Sequence, residues 1–367
     1  MRNAVPVDAA RPALLRLMPT IDHSTFVQVR WHSEANQVWS FKGLSLQGSS
    51  FDMALDHYIS QVYLRRFLAP ELGHLLHGIR KSDLKRFTPR PKDICRLDEG
   101  NTNDFLSEPR AIEGFLVPIE GGFNSAVDML SQGKPDTDCV YKIAGMASYI
   151  LSCSPAAQRI NAAAVEKNLE NIAILADREA AFEAPPESLA GKDLTELIKK
   201  GLVTFKVDPK MIQAIGVSNI LGRVAAIGNQ HWEILHNEHQ DCPFFTSDFP
   251  MGVAPDVERG VVDRMFPLSR NVAVKFCPNP RLRGANLKFS FEHFSFAHVT
   301  LSRAQAVGLN SLFAQCAEDL VLTSSWQRWT EALVTKSRSF RVVCKPTKIK
   351  LGGKWVDALQ QAVGSTP

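Results

Sequence analysis

The residues of this chain best suited to moving protons or holding phosphates and metals are His57, Gln61, Arg65, Glu113, Glu120 and Asp248. The first three fall at i, i+4 and i+8 in "DHYISQVYLRRF", residues 56–67. On a helix that spacing aligns an imidazole, an amide and a guanidinium in one polar stripe. Arg65 would then be a forked donor for a phosphate or carboxylate, and His57 a general acid or base. The structural alternative is that His57 caps a helix start while Gln61 and Arg65 tie it to nearby carbonyls. Glu113 and Glu120 are two helical turns apart and so share a face. Paired carboxylates of that kind bind a hard divalent cation, Mg or Mn, or divide acid and base roles. A solvated helix edge has the same spacing. Asp248, in "FFTSDFP", ends an apolar strand ahead of a proline that stops regular pairing. It either joins Glu113 and Glu120 at a metal or satisfies loose backbone donors.

Other metal and nucleotide chemistry finds little support. His231, His236, His239 and Cys242 count as four ligand types, but their spacing matches no zinc motif, and a strand would send alternate side chains to opposite faces. "HLLH" at 74–77 lacks the context of a zinc helix. There is no P-loop, no glycine fingerprint of a dinucleotide site and no nucleophile elbow, which argues against a nucleotide cofactor and against serine hydrolysis.

The elements that must position these residues are legible in outline. Tyr63, Leu64 and Phe67 form an apolar stripe on a face other than that of His57, Gln61 and Arg65. "TFVQVRWH" and "QVWSFKGL" alternate around "SEAN", which predicts a β-hairpin within residues 1–50. "HLLHGIRKS" reads as a strand. Residues 108–230 are helical in character, although Pro118 and Gly121–Gly122 should kink or split the first helix. "DCVYKIAGMASYILSC" is apolar nearly all round and so predicts a buried helix, and Pro155 starts another. "APPESLAGKD" reads as a loop ahead of the helix "LTELIKKGL". After residue 230 come short strands, "HWEILHN", "PFFTSD", "VVDRMFPLS", "VAVKFCP" and "FSFAHVTL". A helix at 302–317, a strand "EDLVLTSS", a helix near 326–335 and a strand "SFRVVCK" complete the pattern. Helices first and strands later predict an α+β fold, a helix-rich first half packed on a mostly antiparallel sheet. The expected divisions are a hairpin extension over 1–50, a main domain over 51–345 and a basic tail over 346–367.

The 367 residues, 45% hydrophobic and 22% charged, can support a large core. No apolar run is long enough to span a bilayer and the N-terminus lacks a signal-like apolar region, so the reading is cytoplasmic, with no membrane partner. Seven scattered cysteines fit buried, reduced thiols. Net charge is only +4, but residues 65–96 and 336–354 are strongly basic. Two such blocks form a phosphate-binding face for nucleic acid if they converge, or two solvated faces if they do not.

The ordered motifs "HYISQVYLRRF", "PKDIC", "IEGFLVPIE", "FFTSDFP", "FPLS" and "VGLNSLFAQCAEDLVLTSS" resemble a bacterial family labelled domain of unknown function 4238, over about residues 56–324. The chain departs from that family's pattern at Ser60, where the family has proline, and at Cys153 or Ser154, where it has arginine. The resemblance singles out His57, Gln61, Arg65, Glu113, Glu120 and Asp248. Together these predict a metal-dependent nucleic-acid hydrolase, a defence or toxin effector with a metal at Glu113, Glu120 and Asp248. The alternative is a non-enzymatic nucleic-acid- or protein-binding regulatory protein, with the same residues forming a buried polar network.

Overall fold

The computed structural model describes residues 27–31, 55–179, 191–351 and 354–365. The backbone divides into two compact units, residues 1–51 with 166–211 and residues 52–165 with 212–367. The helices, in chain order, are α1 (Gln61–Leu64), α2 (Ala111–Ser131), α3 (Thr137–Cys153), α4 (Pro155–Arg178) and α5 (Leu194–Lys199). They continue with α6 (Pro209–Ser218), α7 (Ile220–Gly228), α8 (Arg303–Cys316) and α9 (Arg328–Ser337).

In the smaller unit the strand Val27–Trp31 is present but pairs antiparallel with Val203–Val207. Local alternation does not reveal that long-range partner, and the predicted N-terminal hairpin turns on residues beyond Trp31. Its second predicted strand, at 37–44, lies outside the described residues, as does most of the loop at 184–193. Asp193 caps α5, its side chain accepting from the Glu196 N–H at 2.7 Å.

The larger unit is α+β. A five-stranded sheet runs in the order Ser295–Thr300, His231–His236, Val272–Cys277, Val261–Pro267, Gly252–Asp256. Only its first pair is parallel, so the sheet is mixed but mostly antiparallel. A second sheet orders Arg86–Phe87, His77–Arg80, Leu320–Thr323 and Thr246–Ser247, all antiparallel. The segment expected to be a basic tail is instead half of a hairpin, Phe340–Leu351 paired with Lys354–Ser365. Among the described residues no single helix is long and apolar enough to cross a membrane.

The predicted split at Pro118 does not occur, and α2 runs unbroken through Pro118 and both following glycines. Proline removes the bond to the carbonyl four residues back, that of Gly114, and both residues are exposed, so water can take the freed acceptor. With Phe123 and Ile119 fully buried, α2 lays its apolar face against α3, which is buried along most of its length. The two helices approach closely at Gly145. A Cβ placed there would lie 2.6 Å from Ile119 Cδ1.

The stretch 56–67 is not one helix. Leu55–His57 is a strand paired with Arg96–Asp98, α1 spans only Gln61–Leu64, and Arg65–Phe67 is a 3-10 turn. Ser60 breaks the continuity by capping α1, its hydroxyl accepting from the Val62 N–H at 3.1 Å. The predicted apolar face holds nonetheless. Tyr63, Leu64 and Phe67 are fully buried, and the Tyr63 ring stacks on Phe266 at 5.3 Å between centroids. The Tyr63 hydroxyl reaches the Thr246 hydroxyl at 2.6 Å, which anchors α1 to the second sheet.

Candidate functional site

The turn from strand to α1 and the exposed edge of α2 enclose a cleft of about 420 Å³. His57, Gln61, Arg65, Glu113 and Glu120 all line it, together with Asp56 and Asn101. Glu113, Leu116, Val117 and Glu120 occupy i, i+3, i+4 and i+7 of α2, the single face expected from spacing. His57 reaches the same wall from the strand rather than from the helix.

Within the cleft the polar groups form a connected network. Arg65 donates to Gln61 Oε1 at 3.2 Å, and the Gln61 amide lies 3.4 Å from His57 Nδ1. His57 Nε2 lies 3.2 Å from the Lys92 carbonyl, which can only accept, so the proton sits on Nε2 and Nδ1 accepts from Gln61. Burial depresses the His57 pKa, with the Lys92 carbonyl opposing it and the Arg96 charge adding to it. His57 is therefore neutral at physiological pH, with both ring nitrogens engaged. The Tyr149 hydroxyl, from α3, donates to the His57 carbonyl, fixing the backbone of the strand end, and lies 3.1 Å from Asn101 Oδ1.

Three residues that sequence reasoning missed organise the acidic side. Arg110, just ahead of α2, grips both oxygens of Asp56 at 2.8 and 3.1 Å and also pairs with Glu113. Burial alone would raise the Asp56 pKa, but Arg110 and the Asn101 N–H at 2.9 Å outweigh it and hold it below the usual carboxylate range. Glu120 accepts a short hydrogen bond from the Ser60 hydroxyl. Asp56 adjoins His57 in the opening motif and Arg110 stands one turn before Glu113, so adjacency was the only signal for either.

Asp248 is elsewhere. It does not line the cleft, and its carboxylate accepts the N–H groups of Glu318 at 2.9 Å, Asp319 at 2.8 Å and Leu320 at 2.9 Å. Burial pushes its pKa up to about 6, against the lowering effect of those three bonds. The buried Lys81 ammonium lies nearby, donating to the carbonyls of Ala317 and Phe340 at 2.7 Å, its own pKa pushed down to about 8 by burial. Asp248 is thus not placed beside Glu113 and Glu120, as the expected catalytic and metal-binding set would need. Its lone pairs already serve the turn that leads into Leu320–Thr323. Among the described residues no three His, Cys, Asp or Glu side chains lie close enough together to hold a metal. Of the histidines and cysteine at 231–242, His236 stacks on His298 at 4.9 Å and Cys242 is buried beside Asn310.

The basic blocks also resolve into two kinds of residue. Arg66 pairs with Asp128, Arg80 with Asp83, Arg86 with Glu331, and Arg341 with Glu318. The blocks do touch, since Lys81 donates to the Phe340 carbonyl and Arg338 to that of Ser82, but there the cations are consumed internally. Arg65, Arg90 and Lys92 differ. With His74, Leu68 and Pro91 they line a second groove of about 420 Å³, which shares Gln61 and Arg65 with the acidic cleft. All three are exposed and, among the described residues, none is ion-paired.

Residues 56–325 match the family described as protein of unknown function DUF4238. The chain belongs to that family. No curated protein and no solved structure matches it. The DUF4238 match begins at Asp56, the first polar residue of the cleft, and takes in every cleft residue but Leu55 and the whole basic groove.

Proposed function

We propose that this DUF4238 protein is a nucleic-acid-binding regulatory protein and that the basic groove holds a single-stranded segment. The observation that carries the reading is the convergence of Arg65, Arg90 and Lys92, exposed and without ion-pair partners among the described residues, on one groove. Leu68 and Pro91 give that groove an apolar wall for a base or sugar, and the cations serve the phosphates. Binding is favoured over catalysis because the acids of the cleft are occupied: Asp56 and Glu113 by Arg110, Glu120 by Ser60. The test is a salt titration of affinity for a short single strand. Three phosphate contacts set a slope of about −2 in log K against log salt, roughly a 15-fold loss between 50 and 200 mM. A variant carrying Arg65→Ala, Arg90→Ala and Lys92→Ala should lose most of that slope. An unchanged slope would remove the groove from the binding surface.

A second reading, metal-dependent phosphodiester hydrolysis, is favoured by one feature: Gln61 and Arg65 belong to both the basic groove and the acidic cleft. A strand held by the groove would place a neighbouring phosphate beside Glu113 and Glu120, which Mg or Mn would have to draw away from Arg110 and Ser60. Cleavage of a bound strand on adding Mg or Mn, abolished by Glu120→Gln with binding intact, would favour the hydrolase. Tight binding without cleavage would favour the regulator.

A further inference from the structure

Leu151 of α3 also lines a smaller cavity, about 200 Å³, whose lining includes two arginines, Arg223 of α7 and Arg264 of the strand Val261–Pro267. Arginine stays charged under all physiological conditions, and a charge withdrawn from water needs a counter-charge. Neither guanidinium has one among the described residues. Arg223 donates to the Ser152 hydroxyl at 2.7 Å, and Arg264 donates to Gln361 Oε1 at 2.9 Å and weakly to its near neighbour, the Val262 carbonyl, at 3.4 Å. These are neutral acceptors, and each guanidinium offers five N–H groups. The Arg264 Nε is buried with no partner, as is Gln230 Oε1 on the same cavity wall. Burial lowers the pKa of both arginines, and for Arg264 the Arg223 charge lowers it further, to about 10. Two half-buried like charges therefore face one small cavity, the Arg223 charge bearing on Arg264, with no carboxylate among the described residues to balance them.

We infer that this cavity is a binding site for a tetrahedral oxyanion of the phosphate class, clamped between Arg223 and Arg264. Paired guanidiniums match such an anion in charge and in fork geometry, and Asn161 and Gln361 of the lining add polar contacts. The volume is below the roughly 300–1,000 Å³ of pockets for drug-sized ligands, so the occupant is a free anion or the phosphate end of a small molecule. The site is independent of the basic groove, whose cations belong to other elements.

The test is thermal unfolding of the full chain in inorganic phosphate against chloride at matched ionic strength. At ~100 times the dissociation constant, phosphate should raise the melting temperature by about 3–5 °C. Arg264→Gln should lose that response, and the triple variant of Arg65, Arg90 and Lys92 should keep it. Gln230→Glu supplies a carboxylate at the cavity wall. It should melt above the parent without ligand and bind phosphate at least tenfold more weakly. Inorganic phosphate and sulfate binding while a nucleoside monophosphate does not would mark the free anion as the ligand, and the reverse would mark a phosphorylated molecule. A parent that responds to neither inorganic phosphate nor a nucleoside monophosphate more than to chloride would overturn the site. If Arg264→Gln does not fold, a Gln230→Glu protein with the parent's full phosphate response would overturn it equally.

Discussion

Replacing Asp248 with Asn distinguishes a structural carboxylate from a metal ligand, and its effect can be worked through with a definite sign. The folded carboxyl titrates at about 6, raised by burial from the ordinary 3.8. A folded-state pKa above the unfolded one means that the folded chain holds the proton more tightly. The stability this group contributes is therefore fully present below pH 3.8 and is lost as pH rises through 6. A difference of about two units amounts to roughly 3 kcal/mol at neutral pH, at 1.36 kcal/mol per unit. Asparagine never ionises and escapes that loss. It brings its own cost, because Asp248 accepts three N–H groups and the asparagine amide must turn its own N–H toward at least one of them. Such a donor-to-donor mismatch costs roughly 1–3 kcal/mol. Urea unfolding of both proteins at about pH 4 and pH 7.5 separates the terms. The variant should be less stable at the lower pH and should gain about 2.5 kcal/mol on the parent by the higher one. Mg or Mn should shift neither curve. A variant that falls further behind as pH rises would refute the reasoning, since it would mean that the three N–H groups outweigh burial and keep the carboxylate ionised.

Other outcomes follow from the same contacts. Arg110→Gln strips Asp56 and Glu113 of their shared cation and should lower stability at pH 7 by about 1.5–3 kcal/mol, measured by denaturant unfolding. Because the Asp56 pKa is depressed in the fold, that deficit should shrink as pH falls through the carboxylate range; a constant deficit would assign it to packing. Gly145→Ala drives a methyl against Ile119 and should cost about 1–3 kcal/mol, with Ile119→Val restoring part of the loss when the two are combined. Additive losses in that pair would show that the helices do not touch there.

How much of this was legible beforehand depends on the range of the interaction concerned. Glu113 and Glu120 share a wall because helix geometry fixes i and i+7, a local rule that Pro118 did not upset. His57, Gln61 and Arg65 meet as expected, but from a strand, a capped turn and a 3-10 turn, because Ser60 ends one conformation and starts the next. Buried helix α3 was visible in its composition, and a mostly antiparallel sheet in its short β-branched runs, though not its one parallel pair. What could not be read was non-local. The partner of Val27–Trp31 lies far along the chain, and the strand Lys354–Ser365 looked like a tail because pairing, not pattern, makes it a strand. Asp248 illustrates the limit most sharply. An Asp at a strand end before proline looks the same in sequence whether it meets a ligand or, as here, three backbone donors. Net basic density was equally blind to the difference between Arg66, tied to Asp128, and its neighbour Arg65.

A nucleic-acid strand bound as proposed would lie against the groove of Arg65, Arg90 and Lys92. Photo-crosslinking of a thiouridine-bearing single strand, followed by mass spectrometry of the attached peptides, locates the strand directly. The expected crosslinks fall within residues 61–92, on peptides carrying Leu68, His74 or Pro91, and fade as salt rises. Crosslinks confined to the Phe340–Leu351 strand, or a nucleic acid that attaches nowhere on the protein, would contradict it.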